Sequence, residues 1–90
     1  MATIKIKLER KEGNIDRFNV WVAGKKVIGA GQSGTPEWTG TVAEGVNIII
    51  LAVGNGSAKF KITLTITPHI KDQEIEIKLK NGKSRTVINS

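Results

Sequence analysis

The chain has no cysteine, no tyrosine, one histidine and two prolines in 90 residues. Without cysteine, no disulfide can staple the fold and no thiolate can act as nucleophile or metal ligand. The lone His69 leaves a zinc site short of the sulfur and nitrogen ligands that structural zinc prefers. It reads as a loop histidine after Pro68. The aromatic residues are Phe18, Trp21, Trp38 and Phe60, which is little material for the stacking platforms of lectins and single-strand binders.

Other absences narrow the field further. No 3.6-residue hydrophobic period lasts three turns, so no amphipathic helix is expected. The longest apolar run, Ile48 to Val53, is far too short to span a bilayer as a helix, so no membrane span is expected. Residues 1–10 alternate instead of forming the apolar core of a signal peptide. The chain is therefore expected to be cytoplasmic, or a mature or recombinant form of a secreted protein. Only eight carboxylates are present, and Glu74 and Glu76, side by side on one strand face among lysines, read as solvated and not as a glycosidase pair. The serines have neither a neighbouring base nor a strand-to-helix elbow. No enzyme activity, metal site or cofactor is expected.

What is abundant is the β-branched side chain. Thirteen isoleucines and seven valines stand against four leucines and one methionine, and their stiff χ1 suits a pleated surface. The organising period is two. Ile4, Ile6 and Leu8 share one face of the first strand, with Lys5, Lys7 and Glu9 on the other. Phe18, Val20 and Val22 form the apolar face of the second, which leaves Arg17, Asn19 and Trp21 together on the opposite face. Short strands at Val27-Ile28 and Glu37–Val42 follow. Residues 46–53 are apolar at nearly every position and read as a central strand covered on both faces. Phe60, Ile62, Leu64 and Ile66 alternate with Lys59, Lys61 and threonines. Ile75, Ile77 and Leu79 alternate with Glu74, Glu76, Lys78 and Lys80.

Turn chemistry separates these runs. Gly54-Asn55-Gly56-Ser57 reads as a hairpin turn. Asn81-Gly82 is the strongest short hairpin signal, since both residues tolerate the positive φ of a type I′ turn. Continuing that hairpin would set Lys80 opposite Lys83 and Lys78 opposite Arg85. The expected fold is all-β: one domain over 1–90, a two-sheet antiparallel sandwich of about eight short strands, jelly-roll or immunoglobulin-like, with a small barrel as the alternative.

Three kinds of function fit. The leading one is a non-catalytic structural, assembly or protein-interaction module, whose partner is another protein or a second copy in a homo-oligomer. It rests on the two-sided apolar strand, the open strand edges and the outward Trp21. The second is carbohydrate binding, with Trp21 or Trp38 stacking on a sugar ring and Arg17, Asn19, Gln32 and Ser33 supplying polar contacts near the 31–36 loop. The third, less favoured, is nucleic-acid or other polyanion binding. It follows from the net charge of +6 and from Lys5, Lys7, Lys59, Lys61, Lys78, Lys80, Lys83 and Arg85 at outward strand positions. Gly29-Ala30-Gly31-Gln32-Ser33-Gly34 has the letters of a dinucleotide loop, but no helix follows to hold a pyrophosphate. Asn55-Gly56-Ser57 is a glycosylation sequon in a turn, expected to be fortuitous without a secretory signal.

Overall fold

A computed structural model describes residues 2–29, 35–43, 45–67 and 71–89. It contains eight strands and, among the described residues, no helix. The strands are β1 (Ala2–Glu12), β2 (Ile15–Val22), β3 (Lys25–Ile28), β4 (Glu37–Val42), β5 (Asn47–Gly54), β6 (Lys59–Thr67), β7 (Lys71–Lys78) and β8 (Lys83–Asn89). They form two antiparallel sheets, β4-β1-β6-β7 (sheet A) and β3-β2-β5-β8 (sheet B). The expected sandwich is present. The barrel alternative is not, because no ladder joins the edge strands β3 to β4 or β7 to β8, and the sheets stay open. In an immunoglobulin constant domain the first two strands pair within one sheet; here β1 and β2 lie one in each sheet.

The period-two pattern explains why the sheets face each other. Ile4, Ile6 and Leu8 of β1 and Phe60, Ile62 and Leu64 of β6 turn inward from sheet A. Phe18, Val20 and Val22 of β2 and Ile48, Ile50 and Ala52 of β5 meet them from sheet B, and all are buried in one cluster. Fully burying an isoleucine or phenylalanine side chain is worth about 1.5–3 kcal/mol, and this core stands in for the absent disulfides. The rings of Phe18 and Phe60 meet edge to face with centroids 5.0 Å apart. They belong to opposite sheets, so this contact couples the two layers. The Arg10 guanidinium lies 5.0 Å from the Phe18 ring centroid, and its Nε–H donates to the Ile15 carbonyl at 3.0 Å. A cation thereby closes the end of an otherwise apolar core.

Three connections that change sheets are Gly13-Asn14, residues 55–58 and residues 79–82, so the hairpins expected at 54–57 and at Asn81-Gly82 do not join paired strands. The three connections gather at one end of the sandwich and bond to each other. The Asn55 N–H donates to the Asn14 carbonyl at 2.8 Å, Gly54 N–H to Gly82 carbonyl at 2.9 Å and Gly82 N–H to Gly56 carbonyl at 3.0 Å. Asn81 and Gly82 do adopt the paired positive φ values, 54° and 78°, of the expected turn, and Lys80 does bridge Lys83. The hairpin goes no further. Leu79 is buried, its N–H bonds the Ala58 carbonyl at 2.8 Å, and β7 departs into sheet A while β8 joins sheet B. Lys78 pairs with Lys59 and Arg85 with Leu51, so the expected Lys78–Arg85 opposition does not occur.

The crowding at this end selects glycine. A Cβ on Gly54 would collide with the Asn14 carbonyl oxygen and lie 2.6 Å from Ile15 Cα. Gly24, in the β2–β3 hairpin, has positive φ but nothing within 4 Å of a Cβ. Gly54→Ala should therefore cost about 2–3 kcal/mol through forced backbone displacement. Gly24→Ala should cost only about 1 kcal/mol of backbone strain. Urea denaturation of the two variants measures the difference; equal losses would mean that the crossovers are not closely packed.

Candidate contact face

The outer faces of the two sheets differ in kind. On sheet A, Lys5, Lys7, Lys59, Lys61 and Lys78 do point outward, as expected from alternation, but carboxylates and threonines are interleaved with them. Lys5 sits between Thr39 and Thr65, Lys7 between Glu37 and Thr63, and Lys61 between Glu9 and Glu76. Ion pairs join Lys59 to Glu12 at 3.1 Å, Lys11 to Glu9 at 3.1 Å, Lys61 to Glu74 at 3.5 Å and Lys7 to Glu9 at 3.6 Å. The expected basic face is therefore a mixed, charge-compensated surface here. Lys80 stands at the crossover corner, and Lys83 and Arg85 belong to the other sheet.

Sheet B distributes its residues otherwise. Its strands contain Arg17, Lys25, Lys26, Lys83 and Arg85 against Asp16 alone. Most of the chain's net charge of +6 thus resides in this sheet. Registration builds its outer face row by row. Lys26, Trp21, Ile49 and Val87 lie abreast; then Asn19, Leu51 and Arg85; then Arg17, Val53 and Lys83. An apolar strip of Ile49, Leu51 and Val53 runs along β5, with Trp21 and Val87 widening one end and Arg17, Lys26, Lys83 and Arg85 around it. Val87, at 47% exposure, is the one exposed large hydrophobic residue among those described. The expectation that 46–53 is covered on both faces is corrected. Ile48, Ile50 and Ala52 are buried, whereas Ile49, Leu51 and Val53 are shielded only by lateral neighbours. A β5 between two sheet neighbours is central in its own sheet without a third layer above it.

Arg17, Asn19 and Trp21 do share this face, as alternation required. The Trp21 ring is half-buried, with Lys26 Nζ 5.7 Å from its centroid. Asn19 Oδ1 is a buried side-chain oxygen with no hydrogen-bond partner. Trp38 is elsewhere: it packs against the core from β4, its ring lying over Gly40 where any Cβ would strike it. The two tryptophans therefore cannot form one platform. Gln32 and Ser33 lie outside the described residues, as do His69 and most of the 29–34 glycine motif. What sequence reading missed is the outward half of β5. Its alternation is hidden because inward and outward residues are both aliphatic, and only the partner strands distinguish them.

Beside Leu51, Val53, Lys83 and Arg85 the surface forms a depression of about 290 Å³. A second, of about 350 Å³, lies over the glycine crossovers at Glu12, Gly13 and residues 55–58. Among the described residues no group of histidine, cysteine or carboxylate side chains is arranged to hold a metal ion, and no helix is long and apolar enough to cross a membrane.

Two predictions follow from these surfaces. On sheet A, the hydrogen bond and charge of Lys11, with smaller contributions from Lys61 and Lys7, hold the Glu9 carboxyl below its ordinary pKa. A depressed carboxylate favours the fold above its unfolded pKa, and that contribution is lost as pH falls through the folded value. In an NMR titration Glu9 should titrate below the ordinary glutamate value, and Lys11→Ala or high salt should raise it. On sheet B, an unpartnered buried amide oxygen is destabilising, so Asn19→Val should raise stability by about 1 kcal/mol in urea denaturation. A loss would show that the Asn19 side chain supports the fold.

Comparison with models of known protein families, with curated proteins and with solved structures finds no match for this chain.

Proposed function

We propose that this protein is a non-catalytic contact module that binds another macromolecule through the outer face of sheet B. The observation that carries this reading is the register that lays Trp21, Ile49 and Val87 abreast, with Leu51 and Val53 continuing the strip. Aliphatic side chains on the wet face of a sheet contribute little to the core, and a contiguous apolar patch rimmed by polar groups is the usual signature of an interaction surface. Tryptophan and arginine at such a patch are the residue types that most often anchor a contact. Asn19 supports the same reading: its Oδ1 is buried beside Leu51 without a hydrogen-bond partner, and such departures from a satisfied fold concentrate at functional surfaces.

Sheet A offers no comparable surface. Lys7, Lys59 and Lys61 face carboxylates across the strands, which breaks up the positive field that would track phosphates. A sugar-stacking site is limited to Trp21, whose ring already carries Lys26.

The test uses an apolar anionic dye, anilinonaphthalene sulfonate, titrated into the folded protein with amide shifts followed by NMR. Perturbations should concentrate in residues 17–21, 49–53 and 83–87. Leu51→Lys should abolish them while changing stability by less than about 1 kcal/mol, since half-buried Leu51 lies outside the core cluster. Perturbations spread over both sheets, or a Leu51→Lys variant that unfolds, would show that the strip serves folding and not contact.

A further inference from the structure

The charges around the strip define the partner's chemistry. Arg17 stands opposite Val53, which stands opposite Lys83, and Leu51 stands opposite Arg85. Each apolar position on this part of β5 therefore has a cation beside it in the same row. The only carboxylate in the four strands, Asp16, sits at the bulge where β2 begins and accepts a hydrogen bond from Asn14 Nδ2 at 3.0 Å. These cations have no carboxylate across the rows to neutralise them, unlike Lys7, Lys59 and Lys61 of sheet A.

Resting on the proposal that this face is a contact surface, we infer that its occupant is an acidic polypeptide segment, with apolar side chains over Leu51 and Val53 and carboxylates against Arg17, Lys83 and Arg85. Carboxylates suit these partners because guanidinium binds them in a two-pronged, charge-assisted geometry. A second copy stacked on the same face by a twofold axis is disfavoured. It would set this carboxylate-poor cationic surface against itself, and like charges across an interface cost affinity. A bilayer is disfavoured because little of the strip is exposed: Val87 is the one exposed large hydrophobic residue among those described. Membrane-surface elements sink a broad apolar face into the lipid, whereas here Lys83 and Arg85 line the same depression of about 290 Å³ as Leu51 and Val53. Nucleic acid would satisfy the cations but leave Ile49, Leu51, Val53 and Val87 against sugar and phosphate, with one partly capped indole for stacking. An acidic-apolar peptide satisfies both parts of the surface.

The experiment titrates the intact chain with a fluorescein-labelled heptapeptide of alternating glutamate and leucine. Controls are its glutamine–leucine counterpart, a glutamate homopolymer, vesicles containing phosphatidylserine, and oligo-dT. The glutamate–leucine peptide should shift the amides of β2, β5 and β8. Its affinity should fall about fivefold or more when salt rises from about 50 to about 500 mM, as charges separated by water are screened. The double variant Arg17→Glu, Arg85→Glu should weaken it about tenfold or more, as should removal of the peptide's charge. Light scattering should give a 9.7 kDa monomer throughout. Equal binding of the glutamate homopolymer, tighter binding of vesicles or oligo-dT, or a dimer lost in Leu51→Lys would each overturn the acidic-peptide assignment. If the dye maps to sheet B and the peptide does not bind, the contact face stands and only the assignment fails. If neither touches sheet B, both fail.

Discussion

Where β1 gives way to β2, the backbone of Asn14 and Ile15 runs against Gly54 too closely for any side chain between them. The Gly54 N–H in turn donates to the carbonyl of Gly82, whose positive φ of 78° and close approach to the Gly54 carbonyl again leave no place for a Cβ. Three chain crossovers are thereby bonded main chain to main chain, with donor–acceptor distances of 2.8–3.0 Å. Because these turns change sheets, they decide which strands become neighbours. β5 lies beside β2 and β8, and β6 beside β1 and β7, as a consequence of where the chain is allowed to cross.

Strand order then decides what the surface can do. The lysines of β1 and β6 alternate in the same way as the cations of β2 and β8, yet they end in different electrostatic settings. In sheet A, β7 brings Asp72, Glu74 and Glu76 alongside β6, and β4 brings Glu37 beside β1, so charge is locally compensated. In sheet B, β8 brings Lys83 and Arg85 beside an aliphatic β5, and β2 adds Arg17 from the other side. Exposed ion pairs such as those of sheet A contribute little to stability; they do keep that face wet and unattractive to apolar partners. The contrast between the faces comes from pairing partners, not from the charge of any one strand.

A sandwich of this size without disulfides relies on its inner faces, and the inner faces here are nearly all aliphatic, joined by the Phe18–Phe60 contact and closed by Arg10. Ile49, Leu51 and Val53 on the outer face of β5 lie outside that core cluster. The same outer face has a buried, unpartnered amide oxygen at Asn19, where a valine would fit the pattern of the neighbouring strand. Departures from the pattern that would best stabilise a fold concentrate where a protein meets its partners.

Alternation in the chain determined the all-β class and, β5 apart, the inward faces of the main strands, because apolar side chains every second residue leave water on one side. The open sheets decided sandwich over barrel. Alternation also determined that Arg17, Asn19 and Trp21 project together, since backbone geometry alone sets that. The positive-φ turn at Asn81-Gly82 was legible for the same local reason. Which strands are neighbours was not legible. A two-residue turn of given φ serves equally to continue a hairpin or to turn a corner, and here Leu79 bonding to Ala58 turns the corner. The two faces of β5 were equally hidden, since residues 48–53 are aliphatic at every position and carry no mark of which side meets the core. Tertiary structure settled both through long-range pairing. It put Trp38 against the core, split the lysines between two sheets and assembled the apolar strip from β2, β5 and β8, whose residues lie far apart in the chain.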